Sequence, residues 1–182
     1  MGDYAYLGRW NYKLNKPALG EEWISEDAAR QMYEAQQGKF DVVPLAIADG
    51  QGGEPRPVPP WVLTAYAKGP LAFRVTFVNP VGSIWRMIDY KDVDGRLFKW
   101  VVVDYSYPDT TSRYRLDQNT MVVDGSFNPD GTGSLTINDK SKPTVDRLSM
   151  DQVDISKHWM DRPPFGAWEQ LTDPEFGTTP SA

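Results

Sequence analysis

Cysteine is missing from this 182-residue chain, and histidine occurs once, at His158. Without thiols there is no disulfide, no thiolate nucleophile and no cysteine-ligated metal, and one imidazole cannot by itself assemble a zinc site. Long apolar runs are missing as well. No stretch approaches the ~20 apolar residues that a membrane-spanning helix needs, and the start, Met1-Gly2-Asp3-Tyr4, has no basic segment followed by an apolar one. Neither a Gly-x-Ser-x-Gly elbow nor a phosphate-cradling glycine loop is present. Positive charge is in deficit, with 19 Lys and Arg against 25 Asp and Glu and a net charge of −6. Phosphate-backbone affinity is built from Lys and Arg contacts, so nucleic acid is a poor partner. The expectation is a cytoplasmic protein with no metal, no cofactor, no nucleic acid and no membrane among its partners.

What is abundant is aromatic: seven Trp, nine Tyr and seven Phe. Such side chains serve packing and recognition rather than proton transfer, which favours a binder over an enzyme. A chain of this length suits one domain, large enough to bury roughly 70% of its unfolded surface without disulfides or metal. Charge is uneven along it. Residues 1–50 hold eight acids and five bases, 51–115 six acids and nine bases, and 116–182 eleven acids and five bases. The acidic last third suits attraction to a basic protein surface.

Tyr4, Tyr6, Trp10 and Tyr12 at even positions predict a first strand over Ala5–Leu14. Ser25 stands as an N-cap before Glu26 and Asp27, and Ala29, Met32, Tyr33 and Gln36 recur at helical spacing, predicting a helix over 26–37 that Gly38 stops. Phe40–Ala48 is an apolar run suited to a buried strand. Asp49–Pro60 (DGQGGEPRPVPP) is a glycine and proline loop whose last prolines are expected to open a short helix through Trp61, Leu63 and Tyr66, closed by Gly69-Pro70. From Leu71 the period becomes two: Phe73, Val75 and Phe77; a turn at Asn79–Gly82; a hairpin of Ile84–Tyr90 with Leu97–Tyr105 about Asp92-Val93-Asp94-Gly95. Tyr114–Leu116, Met121–Phe127, Ser134–Ile137 and Val145–Ile155 complete the strands, with Asn128-Pro129-Asp130-Gly131 a turn. The fold class is α+β: an antiparallel β-meander of six to eight strands, open to closure into a barrel, with one N-terminal helix packed on it. Residues 1–172 form the single domain and 173–182 a flexible C-terminal tail.

Three functional readings follow. The first is a non-enzymatic acidic domain of the inhibitor or toxin-immunity type that blocks a basic partner protein. Its partner-binding residues are Asp151, Asp154, Trp159, Asp161, Phe165, Trp168 and Glu169, where rings supply anchor area and acids set register. The third is an enzyme using His158 as a base oriented by Asp154 or Asp161, or carboxylate pairs such as Asp89 with Asp104 and Asp151 with Asp154. The Asp89–Gly95 stretch is not a calcium loop, because Tyr90 and Val101 fall where a helix-loop-helix site needs oxygen ligands.

The second reading rests on Gly8-Arg9-Trp10 and Val103-Asp104-Tyr105, which resemble the Gly-x-Trp and Thr-Asp-Tyr motifs of the lipocalins. The resemblance covers these two tripeptides. It implies a calycin-like barrel binding a small apolar ligand, with Trp10, Trp85, Trp100 and Tyr105 as ligand-binding residues. The helix and proline loop between residues 25 and 70 stand where that family runs hairpins.

Overall fold

A computed structural model describes residues 3–20, 22–48, 57–66 and 71–177. The glycine-rich half of the expected loop (49–56), the Gly69-Pro70 stop and residues 178–182 of the expected tail lie outside the described residues. The N-terminal quarter contributes β1 (Tyr4–Leu7), β2 (Trp10–Asn11), β3 (Lys16–Pro17), β4 (Trp23–Ile24), α1 (Glu26–Glu34), β5 (Lys39–Pro44) and α2 (Leu45–Ala48). Then follow β6 (Trp61–Tyr66), β7 (Leu71–Val78), β8 (Ile84–Val93) and β9 (Arg96–Ser106). The remainder is β10 (Met121–Phe127), β11 (Gly133–Asp139), β12 (Asp146–Met150) and β13 (Trp159–Asp161). The main sheet runs β12-β11-β10-β9-β8-β7-β6-β5-β1-β4, antiparallel throughout, with β13 pairing the start of β9 and β2 pairing β3 separately. The antiparallel meander is therefore present, and the sheet is unclosed.

Local chemistry accounts for most of these elements. Ser25 Oγ accepts the Ala28 N–H (3.2 Å) at the start of α1, and Glu26 and Asp27 sit in its first turn. The helix stops at Glu34, short of the expected 37, because Gln36 and Gly38 take left-handed backbone (φ 49° and 84°). The β8–β9 hairpin turns on Asp94 and Gly95, both at positive φ (52° and 82°), which matches the right-handed twist of the flanking strands. Asp92 Oδ1 accepts the Gly95 N–H at 3.0 Å.

Cross-strand register shows where the core sits and where it runs out. Tyr6, Val42, Leu63, Val75, Ile88, Val102, Gly125, Leu135 and Leu148 lie opposite one another across nine strands and share one face. α1 covers the first part of this row with Ala29 and Tyr33, and the C-terminal segment covers it with Phe165, Trp168 and Leu171. Full cover ends at Ile88 on β8, Val102 on β9 is half-buried, and Leu148 on the edge strand is 54% exposed. On the opposite face Ala5, Leu7, Trp10, Val43, Ile47 and Val62 form a second, smaller core. Beyond it the row through Asp41, Thr64, Arg74, Asp89, Val101, Ser126, Ser134 and Ser149 is mostly polar.

Five expectations need correction. The single first strand expected over Ala5–Leu14 is split into β1 and β2 in different sheets, with the Trp10 N–H taken by the Asp41 carboxylate instead of a main-sheet strand. Trp61–Tyr66 is strand β6 and not a helix: buried on both faces between β5 and β7, it loses the alternation by which a strand is recognised. The apolar run 40–48 divides into β5 and α2, so a second short helix joins the expected one. Tyr114–Leu116 is no strand, because Tyr114 N–H is taken by Ser83 Oγ (2.8 Å) and a short helical turn begins at Leu116. Residues 173–177 of the expected tail are docked: Pro174 and Phe176 carbonyls are held by Arg86 and Lys99, and the Phe176 ring packs on the core.

Candidate functional site

The seven residues expected to meet a basic partner separate into anchors turned inward and acids turned outward. Trp168 is a correction: it is 0% exposed, edge-on to Tyr33 (5.3 Å) and Phe165 (5.6 Å), and belongs to the core. Its place near the chain end gave it the look of a surface ring, but the segment folds back over the sheet. Phe165 is half-buried, stacked on Tyr6 (5.1 Å) with the Arg30 guanidinium 4.5 Å from its ring. Trp159 is half-buried against Phe98 (4.6 Å) through the β13–β9 pairing. The acids stay exposed and serve local ends. Asp161 pairs Arg96 (3.1 Å), Glu169 accepts the Tyr4 hydroxyl (2.8 Å), Asp154 accepts the Ser156 N–H (3.0 Å), and Asp151 stands on the surface. Asp161 and Glu169 share an opening of about 560 Å³ with Arg96 and Arg162, so charge there is balanced.

His158 is 5% exposed, wedged against Phe127 (4.6 Å) and Phe98 (5.9 Å), and its Nδ1–H donates to the Lys99 carbonyl (3.0 Å). Burial and then the nearby Lys99 ammonium lower its pKa, holding the ring neutral and structural. It lines none of the openings described here. Asp89 pairs Arg74 in bidentate fashion (2.7 Å twice) and Asp104 pairs Arg86 (2.6 and 3.0 Å), so both carboxylates are committed to ion pairs. Among the described residues no cluster of His, Asp or Glu is placed to hold a metal ion.

The four rings expected to share a ligand are scattered. Trp10 belongs to the second core, where its backbone N–H donates to Asp41 Oδ2 (2.6 Å). Burial raises the Asp41 pKa despite that bond and one from Thr64. Trp100 lies at the β8–β9 bulge beneath Lys91 (5.3 Å), and Tyr105 is half-buried near Arg74 and Asp124.

Trp85 is different, because it packs on Phe77 and shares an opening with Trp61, two rings outside the expected ligand-binding set. Trp61 and Phe77 are cross-strand partners at the ends of β6 and β7, and Trp85 packs on Phe77 at 5.8 Å across the Asn79–Ser83 turn. With Pro60, Pro80 and Pro174 they line an open groove of about 470 Å³, to which Asn79, Thr110 and Thr172 bring polar groups. Tyr4 backs Trp61 (5.8 Å). Arg86 lies over Trp85 (5.1 Å) while its guanidinium binds Asp104, the Pro174 carbonyl (2.7 Å) and Glu175 (3.2 Å). One arginine thus fixes the tryptophan and the C-terminal segment that walls the groove. The legible signal was two aromatics, Phe77 and Trp85, flanking a proline turn, with Trp61 directly after the Pro59-Pro60 pair.

No helix among the described residues is long and apolar enough to cross a membrane. Comparison with protein-family models, with curated proteins and with solved structures finds no match to this chain.

Proposed function

We propose that the protein is a non-enzymatic binding domain whose ligand is a small, flat, apolar molecule seated in the Trp61–Phe77–Trp85 groove. The observation that carries this reading is the convergence of three large rings from three strands on one open, mostly apolar space of about 470 Å³, a size within the ordinary range of small-molecule sites. Proline walls and the Arg86 clamp hold the rings in place before a ligand arrives, which reduces the ordering cost of binding. Sealing of His158 among Phe98, Phe127 and Lys99 favours the binder over the histidine-dependent enzyme. The test is a fluorescence titration with the uncharged probe phenyl-naphthylamine. Trp85→Ala is expected to weaken binding about tenfold, or about 1.4 kcal/mol, the loss of one ring contact. Unchanged affinity in both Trp61→Ala and Trp85→Ala would remove the groove as the site.

A second reading, the acidic inhibitor or immunity domain, is favoured by the exposure of Asp151, Asp154, Asp161 and Glu169 in the last quarter of the chain, with Trp159 as the half-buried ring among them. On that reading, association with a basic partner slows about tenfold or more from low to high salt. A rate indifferent to salt speaks against it.

A further inference from the structure

Arg113 stands between two adjoining openings of about 630 and 410 Å³ at the loop end of the sheet. Their linings include Lys13, Lys16, Arg113 and Arg115 and, among the described residues, no aspartate or glutamate, in a chain whose net charge is −6. Arg115 is neutralised by Asp117 (3.0 and 2.6 Å). Lys13, Lys16 and Arg113 form no ion pair with any described acid.

The position of Arg113 is built. Its Nη2 donates to the Tyr12 and Lys13 carbonyls (2.5 and 3.2 Å), tying loop 107–115 to the 12–15 turn between β2 and β3. Carbonyls orient a guanidinium without cancelling its charge, and among the described residues no acceptor takes its remaining N–H donors, which can meet an oxyanion. The side chain lies across Gly82, whose backbone is left-handed (φ 95°) and where a Cβ would come within 2.9 Å of Arg113 Nε. Glycine at this turn is what lets the arginine lie flat.

The smaller opening is apolar beneath this cationic lip. Tyr12 and Ile84 are half-buried there, and Leu116 is exposed at its rim. Tyr114 stacks on Tyr107 (5.5 Å, interplanar angle 6°), and the Tyr107 hydroxyl is anchored on the Ile84 carbonyl (2.6 Å). Apolar walls under unneutralised cations suit one chemistry: a molecule that joins an acidic head to an apolar body. We propose that this groove binds an amphipathic organic anion, its carboxylate or sulfonate on Arg113 and Lys13 and its apolar body against Tyr114, Ile84 and Leu116. The site is separate from the aromatic groove on the other side of the Asn79–Ser83 turn, and does not depend on it.

The test compares anilinonaphthalene sulfonate with its uncharged analogue phenyl-naphthylamine by fluorescence titration of the folded protein. Lys13→Ala and Arg113→Gln are each expected to weaken sulfonate binding about tenfold, the loss of one charge-assisted contact, and to leave the uncharged probe unaffected. Raising salt should weaken the sulfonate alone. Trp85→Ala is expected to leave sulfonate binding intact. Because Arg113 also joins two loops, the exposed Lys13 carries the decision. Sulfonate affinity unchanged in Lys13→Ala, or abolished in Trp85→Ala, would overturn the proposal.

Discussion

At the scale of single residues, Lys99 is the group most at odds with its surroundings. It is 3% exposed, and its ammonium donates to the Phe176 carbonyl at 2.5 Å, with Asp173 and Glu175 acting on it through space. Burial, followed by repulsion from Arg86, pushes its pKa down to about 8. An unfolded lysine titrates at about 10.4, so between the two values the unfolded chain binds more protons and stability rises with pH. The gain across that window is up to about 3 kcal/mol, and below pH 8 the burial cost is carried in full. Lys99→Met is expected to flatten the dependence between about pH 8 and about pH 10, measured as the difference in urea midpoints between variant and parent. Taking the difference matters because the buried and half-buried tyrosines act the other way. Tyr4 is raised to about 12, and Tyr12 and Tyr90 are raised further by burial, so each removes stability as pH climbs past about 10. At this same scale the sequence misplaced Trp168. Acids surround it in sequence, whereas its neighbours in space are Tyr33, Phe73 and Phe165.

Among the elements, the turn and pairing of the β8–β9 hairpin were legible because their instructions are local, whereas the bulge at Trp100 was not. Asp94-Gly95 can adopt paired left-handed backbone, and this two-residue turn sets the register from Val93↔Arg96 as far as the bulge. Gly95 has open space where a Cβ would be built, so Gly95→Ala tests backbone strain alone. Its expected cost is about 1 kcal/mol with an unchanged denaturant slope, read from urea unfolding. A loss below a few tenths of a kcal/mol would mean the turn relaxes into another type. β6 and α2 were not legible for the opposite reason. The middle of β6, Val62 to Ala65, is buried on both faces, so no period survives there, and α2 is a single turn of four residues, too short to show one.

For the molecule as a whole, the decisive feature is a sheet whose core is finished at one end and not at the other. The apolar row from Tyr6 is sealed as far as Ile88 by α1 and the C-terminal segment, then reaches β12 with Leu148 more than half exposed. An edge strand with an exposed leucine invites pairing with another chain. Leu148→Lys is expected to change stability by less than about 0.5 kcal/mol while suppressing association on heating or concentration, followed by light scattering. A large loss of stability would show that Leu148 is a core residue after all.

By itself the sequence determined those features that depend on neighbours in the chain: the antiparallel meander, the α1 N-cap, the hairpin turn and the exclusion of thiol chemistry. Each follows from a backbone preference or a period acting over a few residues. The tertiary structure alone decided three things: that the sheet stays open, that Trp168 is core, and that Trp61, Phe77 and Trp85 meet in one groove. The reason is physical. Which rings come together depends on strand register and on the path of the C-terminal segment, and that path is set by Arg86 and Lys99 reaching carbonyls more than seventy residues away in sequence.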